Sequence, residues 1–227
     1  MKAVILAAGM GLRIGKPVPK ALLELPSGES ILSRQVRIFK SEGIEDISVV
    51  VGYKKELIMS HIPDVRFIFN PEYRNTNTAK SLLCAMEGVE DDIIWANGDL
   101  VYDENILTLL KSQRFNTIVV NNAKCGEEEV KYLVDKSGNV ISISKEIENG
   151  QGEALGINLI KKKSIKVFIE ALNECKDTDF FEKAIQILID RGVIFKHLDV
   201  SDYRCIEIDF EEDLNRALIL FGQNGRN

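Results

Sequence analysis

The chain begins with a short, wholly apolar run that leads into a loop of small residues. The run covers residues 3–6, and the small residues after it are Ala7, Ala8, Gly9 and Gly11. A strand without a polar face is buried on both sides, as in parallel sheets that helices cover. The opening residues therefore predict a buried strand that ends in a loop with little side-chain bulk.

Strand-like runs and segments of helical periodicity alternate along the next hundred residues. Strands are predicted at 47–51, 65–69 and 93–96, and helices at 31–41, 56–62 and 78–86. This alternation is typical of an α/β fold with a largely parallel sheet. After residue 117 the pattern changes to a hairpin of strands 130–134 and 140–144, a strand at 154–160, and helices at 164–174 and 181–191.

Composition excludes several other classes of protein. The chain has 29 Lys and Arg against 35 Asp and Glu, a net charge of −6, whereas nucleic-acid-binding domains are normally basic. No apolar run approaches the roughly 20 residues of a membrane span. Its 4 cysteines are widely spaced, which favours reduced thiols in a cytoplasmic protein. We therefore expect neither nucleic acid nor membrane as a partner.

The loop after the first strand has the composition of a phosphate-binding loop. Its small residues let backbone N–H groups approach a phosphate. Arg13 and Lys20 flank the loop and supply a forked donor and a point charge. The glycine spacing fits neither the dinucleotide motif nor the P-loop. The alternative interpretation is a glycine turn with two solvated basic residues.

Two aspartates that are distant in sequence are candidate metal ligands. Asp99 follows the strand predicted at 93–96, at the strand end where ligands bind in open α/β sheets. Strand alternation places Cys205, Glu207 and Asp209 on one face. Two converging carboxylates without a His/Cys cluster nearby suit Mg²⁺. The alternatives are a turn aspartate at the first position and a helix N-cap at the second.

The segment Leu6-Ala7-Ala8-Gly9-x-Gly11-x-Arg13, followed by Pro19-Lys20, resembles the motif of the nucleotidyltransferases that make sugar nucleotides and CDP-alcohols. The similarity extends to residues 97–99, 153–157 and 207–209. It implies a GT-A-like (Rossmann-like) α/β fold, a three-layer sandwich with a mostly parallel mixed sheet. It also implies transfer of a nucleotidyl group from an NTP to a phosphorylated acceptor, with release of pyrophosphate. The chain is most similar to the small cytidylyltransferases for phosphocholine, 2-aminoethylphosphonate or inositol 1-phosphate.

This resemblance assigns roles to individual residues. It implies catalytic roles for Arg13 and Lys20, and Mg²⁺ as a cofactor on Asp99 and Asp209. The expected nucleotide-binding residues are Leu6, Ala7, Ala8, Gly9, Gly11, Asn77, Ser81 and Asp99, and the expected acceptor-binding residues are Lys145, Glu153 and Asp179. Helix capping is the alternative for Asn77 and Asp179, and a solvated charge is the alternative for Lys145. Phe180 and Phe181 can equally belong to the core.

The second half of the chain bears on the choice of acceptor. We expect one domain with a mainly nucleotide-binding lobe of residues 1–116 and a mainly acceptor-binding lobe of residues 117–227. Choline-handling relatives have an aromatic residue where Val130 stands, and a quaternary ammonium is held best by aromatic faces. An acidic lining from Glu129, Glu153 or Asp179 favours an amine-bearing acceptor. The acidic run 127–129 is equally typical of a solvated turn.

The leading hypothesis is Mg²⁺-dependent transfer of CMP from CTP to a small phosphorylated alcohol or phosphonate, with a homodimer as a further expectation. The alternative enzyme is a sugar-1-phosphate nucleotidyltransferase that uses UTP, dTTP or GTP. A third hypothesis, from another class, is a nucleotide-binding regulatory domain without catalysis. An NAD-dependent oxidoreductase lacks the necessary glycine spacing.

Overall fold

Four parallel strands from the first half lie side by side in a nine-stranded sheet. They are seen in a computed structural model that describes residues 1–15 and 18–222. The strands are β1 (Lys2–Ala7), β2 (Ile47–Val51), β3 (Arg66–Phe69) and β4 (Ile93–Asn97), in the order β4-β1-β2-β3. All residues of β1 are buried, as its apolar sequence predicts. The carboxyl ends of β1 and β4 therefore meet at one edge of the sheet.

Strands from the second half extend the same sheet beyond β4. They are β6 (Asn116–Asn121), β9 (Glu153–Ile160) and β10 (Phe195–Asp199), with the predicted hairpin formed by β7 (Lys131–Val134) and β8 (Val140–Ser144). β9 runs antiparallel between β4 and β6, and β10 is parallel to β6. The sheet is therefore mixed and mostly parallel. It continues through both halves of the chain, whose separate roles stay a prediction.

Helices cover the two faces of the sheet and complete a three-layer sandwich. The helices α1 (Ile31–Ser41), α2 (Lys55–His61) and α4 (Glu104–Lys111) contribute to one core, and α3 (Thr78–Cys84), α5 (Ile165–Glu174) and α6 (Phe181–Asp190) to the other. Alternate residues of β1 enter these cores, Ile5 on the α1 side and Leu6 on the α3 side. Within the described residues, no helix has the length and apolarity needed to cross a bilayer.

Local sequence explains where the functional helices begin. Ser30 caps α1 by accepting a hydrogen bond from the Ser33 N–H at 3.0 Å, and Asn77 caps α3 through the Thr78 N–H at 2.9 Å. Side-chain oxygens at these positions satisfy N–H groups that have no partner within the helix. The bounds predicted for α1 are confirmed, whereas α3 ends two residues earlier than predicted, at Cys84.

A small ribbon and the last helix stand beside the main sheet. The ribbon pairs β5 (Leu100–Tyr102) with β11 (Cys205–Glu207) in antiparallel fashion. The helix α7 (Glu211–Gly222) packs Leu214 against this ribbon. The Ile208 N–H also donates to the carbonyl of Asp99 at 3.1 Å. The segment between β11 and α7 is thereby fixed against the turn that follows β4.

Candidate active site

A cleft of about 760 Å³ lies where β1 and β4 end. Its walls come from the loop after β1, the turn after β4, the start of β9, and the residues around β11. This is the edge at which open α/β sheets bind ligands. Both halves of the chain therefore contribute to a single candidate site.

Lys20 lies between the two aspartates that the sequence marks as metal ligands. Its Nζ donates to Asp209 Oδ1 at 2.5 Å and to Asp99 Oδ2 at 3.3 Å. Asp99 occupies the turn between β4 and β5, and Asp209 lies just before α7. The N-cap alternative for Asp209 does not apply, because α7 begins at Glu211 and the residue that directly precedes it is Phe210. The two aspartates converge as expected, and their role as metal ligands stays a prediction.

Burial and neighbouring charges shift the pKa values of Lys20 and Asp99. Burial alone would lower the pKa of Lys20, but the carboxylates of Asp99 and Asp209 outweigh it and raise that pKa above its usual value. Burial raises the pKa of Asp99, and the neighbouring charge of Asp209 adds to this effect against the attraction of Lys20. Two carboxylates therefore face a single lysine. This excess of negative charge favours the binding of a further cation.

The donor set fits Mg²⁺. Among the described residues, no cluster of three or more His, Cys, Asp and Glu side chains forms a complete metal cage. Mg²⁺ does not require one, because it is commonly bound by one or two carboxylates together with water and substrate phosphate oxygens. Asp99 and Asp209 supply two carboxylates on either side of one small volume. These residues suit a metal that binds together with a phosphate substrate.

Asn97 is a site residue to which the sequence reasoning gave no role. It is the last residue of β4, and its Nδ2 donates to Glu207 Oε1 at 3.1 Å. Burial raises the pKa of Glu207 well above its usual value, and the charges of Asp99 and Asp209 add to the shift. Gly156 lies directly against this amide. In the sequence, the only signal that Asn97 belongs to the site is its position two residues before Asp99.

Most of the predicted phosphate-binding loop lines the cleft. The lining residues from this loop are Leu6, Ala7, Gly9, Gly11, Arg13 and Lys20. Ala8 does not line the cleft, and its role in binding the nucleotide stays a prediction. Its carbonyl accepts a hydrogen bond from the Tyr53 N–H at 3.1 Å, so its backbone is turned towards the loop after β2. Lys16 and Pro17, within the predicted loop, lie outside the described residues.

Arg13 and Lys145 approach each other across the mouth of the cleft. Arg13 Nη1 lies 3.9 Å from Glu128 Oε2, and Lys145 Nζ lies 3.8 Å from the same oxygen. Glu128 is exposed on the loop between β6 and β7, and it also lines the cleft. It is therefore both part of a solvated turn and part of the acidic lining. Exposed ion pairs of this kind contribute little to stability. Both cations are therefore available to a phosphate that enters the mouth.

The structure separates the two residues expected to contact the nucleobase. Asn77 lines the cleft, but its side chain caps α3 and donates to the Thr178 carbonyl at 3.4 Å. Ser81 is buried, does not line the cleft, and accepts a hydrogen bond from Asn70 Nδ2 at 3.0 Å. The contact of Ser81 with the nucleobase stays a prediction. Ser81 lies about one helical turn further along α3 than Asn77.

The two acids expected at the acceptor end also differ in position. Glu153 lines the cleft, and its Oε2 accepts from Asn121 Nδ2 at 3.0 Å. Burial raises the pKa of Glu153, and the charge of Glu129 adds to the shift. Asp179 does not line the cleft, because its carboxylate closes a turn by accepting from the Lys176 N–H at 2.7 Å. It is therefore neither a cleft residue nor the cap of α6.

The adjacent phenylalanines have different environments. Phe181 belongs to the core, where its ring packs edge-on against Trp95 at 5.6 Å. Phe180 is 42% exposed and lines the cleft, so its assignment to the core is wrong. Its ring faces the Lys145 ammonium, which lies 4.8 Å from the ring centroid. Helical geometry turns these neighbours to different sides, which apolar character alone does not indicate.

A three-layer α/β fold with a loop of small residues after β1, and with Lys20 held between two aspartates, defines a transferase of nucleotidyl groups. Residues 3–132 match the MobA-like NTP transferase domain. The match covers more than half of the chain, which therefore belongs to this family of nucleotidyltransferases. The predicted family and fold are confirmed.

Individual relatives differ in how much of their length the chain covers. The chain is 26% identical over 249 residues to the CTP:phosphoglutamine cytidylyltransferase of Campylobacter jejuni, covering 94% of this chain and 98% of that protein. It is 26% identical over 167 residues to the bifunctional protein GlmU of Methanococcus aeolicus, covering 71% of this chain but 40% of GlmU. The inositol-1-phosphate CTP transferase of T. maritima superposes with a TM-score of 0.80 at 20% identity, covering 100% of this chain and 97% of that one. That structure shares the fold.

Proposed function

We propose that this nucleotidyltransferase transfers CMP from CTP to a small phosphorylated alcohol or phosphonate. The observation on which the proposal depends is the position of Lys20 between Asp99 and Asp209, at the base of a cleft lined by the loop after β1. Similarity to the C. jejuni cytidylyltransferase over nearly the full length of both proteins supports CTP as the nucleotide. The fold shared with the T. maritima CTP transferase agrees with this choice.

The nucleotide triphosphate lies along the loop after β1. The small residues there allow its oxygens to approach backbone N–H groups. Lys20, whose side chain is 14% exposed, places its charge deep in the cleft, whereas Arg13 is 57% exposed at the mouth. Lys20 therefore stabilises charge at the reacting phosphate, and Arg13 stabilises the outer phosphates.

The reaction is an in-line displacement at the α-phosphorus of CTP. A bond forms between an oxygen of the acceptor phosphate and the α-phosphorus, the bond between the α- and β-phosphates breaks, and pyrophosphate leaves. The attacking oxygen is already anionic at neutral pH, so no general base is required. The residues of the cleft accelerate the reaction by positioning both anions and by neutralising the charge that develops.

Asp99 and Asp209 are the residues that would hold Mg²⁺. The ion would supply charge neutralisation on the phosphate oxygens when bound. Asp99 and Asp209 fix the geometry of this part of the cleft. Lys20 turns away from their carboxylates and towards the phosphates of CTP. Lys145 binds the acceptor phosphate at the mouth, where its ammonium now lies 3.8 Å from Glu128.

A pyrophosphate-release assay with four NTPs and a panel of phosphorylated acceptors tests the proposal. We expect CTP to give the fastest turnover with a small phosphorylated alcohol or phosphonate. Lys20→Ala should reduce kcat by at least about 100-fold, in line with the loss of a charge donor at a reacting centre. Lys136→Ala, at an exposed position in the β7–β8 turn, is the matched control. Faster turnover of UTP with glucose 1-phosphate would contradict the cytidylyl assignment.

A further inference from the structure

Glu182 is a buried acid that the proposed reaction does not use. It is the second residue of α6 and lines the cleft. Its Oε2 is closed to solvent and has no hydrogen-bond partner among the described residues. Burial raises the pKa of Glu182 to about 7, against the smaller effects of its own backbone N–H and of Lys145. A buried carboxyl oxygen without a donor is unfavourable, and a ligand with a donor group would satisfy it.

The neighbours of Glu182 define the chemistry of that ligand. The charged groups that face it are Lys145 and Glu207. Phe180 presents its ring to the same region, and the Lys145 ammonium lies 4.8 Å from the ring centroid. A positive charge is therefore stable against this aromatic face. We call Phe180, Glu182 and Glu207 the acidic subsite.

The cleft as a whole has more acidic than basic side chains. Of the residues that line it, eight are acidic and five are basic. This excess is unexpected for a cleft that binds two phosphorylated substrates, unless part of the bound material is cationic. A metal on Asp99 and Asp209 accounts for one part of the excess. It does not satisfy Glu182, because Lys145, the only cation that faces Glu182 among residues 1–15 and 18–222, also lies 3.8 Å from Glu128.

We propose that the acidic subsite binds a primary ammonium group of the acceptor, and that Glu182 selects an aminoalkyl phosphate or phosphonate. A primary ammonium donates N–H groups to Oε2, whereas a quaternary ammonium has none to donate and requires several aromatic faces. Phe180 and Val130 both line the cleft, and Val130 is not aromatic. A hydroxyl group could donate a hydrogen bond but carries no charge to offset the excess of acidic side chains that line the cleft.

Lys145 and the ammonium of the acceptor have complementary positions. When the acceptor phosphate binds at the mouth, Lys145 turns towards it and away from the ring of Phe180. The ammonium then takes the place that the Lys145 ammonium occupies. This step rests on the proposed function, since it assumes an acceptor with a phosphate at the mouth.

The test compares acceptors that differ in one group. Wild-type protein and Glu182→Gln are assayed for pyrophosphate release with each of the four NTPs and with 2-aminoethyl phosphate, 2-aminoethylphosphonate, 2-hydroxyethyl phosphate and phosphocholine. We expect wild-type protein to prefer the primary amines, and the ratio of kcat/KM for 2-aminoethyl phosphate to that for 2-hydroxyethyl phosphate to fall about 10- to 100-fold in Glu182→Gln. The loss should lie in KM for the amine, with KM for CTP unchanged. Glu127→Gln, an exposed acid outside the cleft, should keep the wild-type ratio.

Several outcomes separate this inference from the proposed function. Preference for the primary amine with UTP in place of CTP would overturn the nucleotide assignment and support the acidic subsite. Turnover of CTP with 2-hydroxyethyl phosphate or phosphocholine in preference to the amines would overturn the subsite and leave cytidylyl transfer standing. Calorimetric titration of 2-aminoethyl phosphate and 2-hydroxyethyl phosphate is a second readout independent of turnover. Equal affinity for the two compounds, or an unchanged ratio in Glu182→Gln, would refute the inference.

Discussion

Gly156→Ala tests whether the amide of Asn97 positions Glu207. A Cβ atom at residue 156 would lie 2.5 Å from Asn97 Nδ2 and 3.1 Å from Asn97 Cβ. The amide could rotate away from the new methyl group, but the Cβ of Asn97 moves only with its backbone. That backbone belongs to β4, which pairs with β9 in the register Ala96–Ile157. The substitution therefore shifts the strands and removes the hydrogen bond to Glu207.

The expected loss of stability in Gly156→Ala combines two effects, the steric clash and the lost hydrogen bond. Forcing an extra methyl group into a packed site costs about 1 to 3 kcal/mol. Loss of a hydrogen bond to an ionisable partner costs about 1.5 to 3 kcal/mol. Because the contributions overlap, we expect the free energy of unfolding to fall by about 2 to 5 kcal/mol, and Tm to fall by about 5 to 15 °C for a domain of this size.

Thermal unfolding and pyrophosphate release measure the two consequences separately. At a temperature where Gly156→Ala is folded, kcat/KM should still be at least about tenfold lower, since a misplaced carboxyl group at the site costs 1.4 kcal/mol or more. Gly222→Ala is the matched control, because its Cβ would lie 3.3 Å from Pro26 Cγ at the far end of α7. It should leave kcat/KM unchanged and alter the unfolding free energy by no more than about 1 kcal/mol.

A double-mutant cycle identifies the mechanism of the loss. In an Asn97→Ala background the amide is absent, so adding Gly156→Ala should lower kcat/KM much less than it does in wild-type protein. Equal losses in the two backgrounds would show that Gly156 does not act through Asn97. Wild-type stability and turnover in Gly156→Ala alone would refute the steric argument itself.

Three further predictions concern charge and packing. In the absence of nucleotide, Lys20→Met should bind Mn²⁺, used as a probe for Mg²⁺, about tenfold more tightly than wild-type protein. The reason is that Lys20 competes with the ion for the same two carboxylates. Weaker binding of Mn²⁺ in a calorimetric titration would contradict this prediction. Glu182 has a pKa of about 7 when folded against 4.5 in its ordinary environment, so its contribution to stability is lost as pH rises between those values. Urea unfolding should therefore show Glu182→Gln gaining about 2 kcal/mol relative to wild-type protein between pH 5 and pH 8, and a constant difference would disprove the shift. Phe168→Ala removes the ring stacked 5.2 Å from Trp95 and should cost about 3 to 5 kcal/mol in unfolding free energy while leaving KM for the nucleotide unchanged.

Elements with a clear periodicity could be predicted from the sequence, and elements without one could not. The apolar spacing of α1 and its capping Ser30 define the helix as the structure has it, and β2 is apolar at every position except Ser48. The strand β5 is three residues long, too short to show alternation. The strand β10 reads Phe-Lys-His-Leu-Asp, in which polar residues obscure the strand. Such elements become visible only through their pairing with neighbouring strands.

The site residues divide in a similar way. Those on the loop after β1 follow from local composition, because small residues and flanking charges are a local property. Asp99 and Asp209 lie 79 and 189 positions from Lys20, so their convergence depends on the whole topology. Ser81 and Asp179 do not line the cleft, because the side chain of each is hydrogen-bonded to a neighbouring amide or backbone group. Sequence indicates which residues are polar but not which partner each one has.

Gly11 shows why the motif after β1 needs a glycine at this position. From local composition, Gly11 is explained as a small residue that lets a phosphate approach the backbone. Any small residue would allow this approach. The structure adds two stricter conditions, a φ of +57° and a Cβ position only 2.6 Å from Lys20 Cγ. Alanine would meet the lysine stem and adopt a strained backbone conformation. Gly11 is therefore required by the path of Lys20 to Asp99 and Asp209, which connects the loop after β1 to the carboxylates contributed by the rest of the chain.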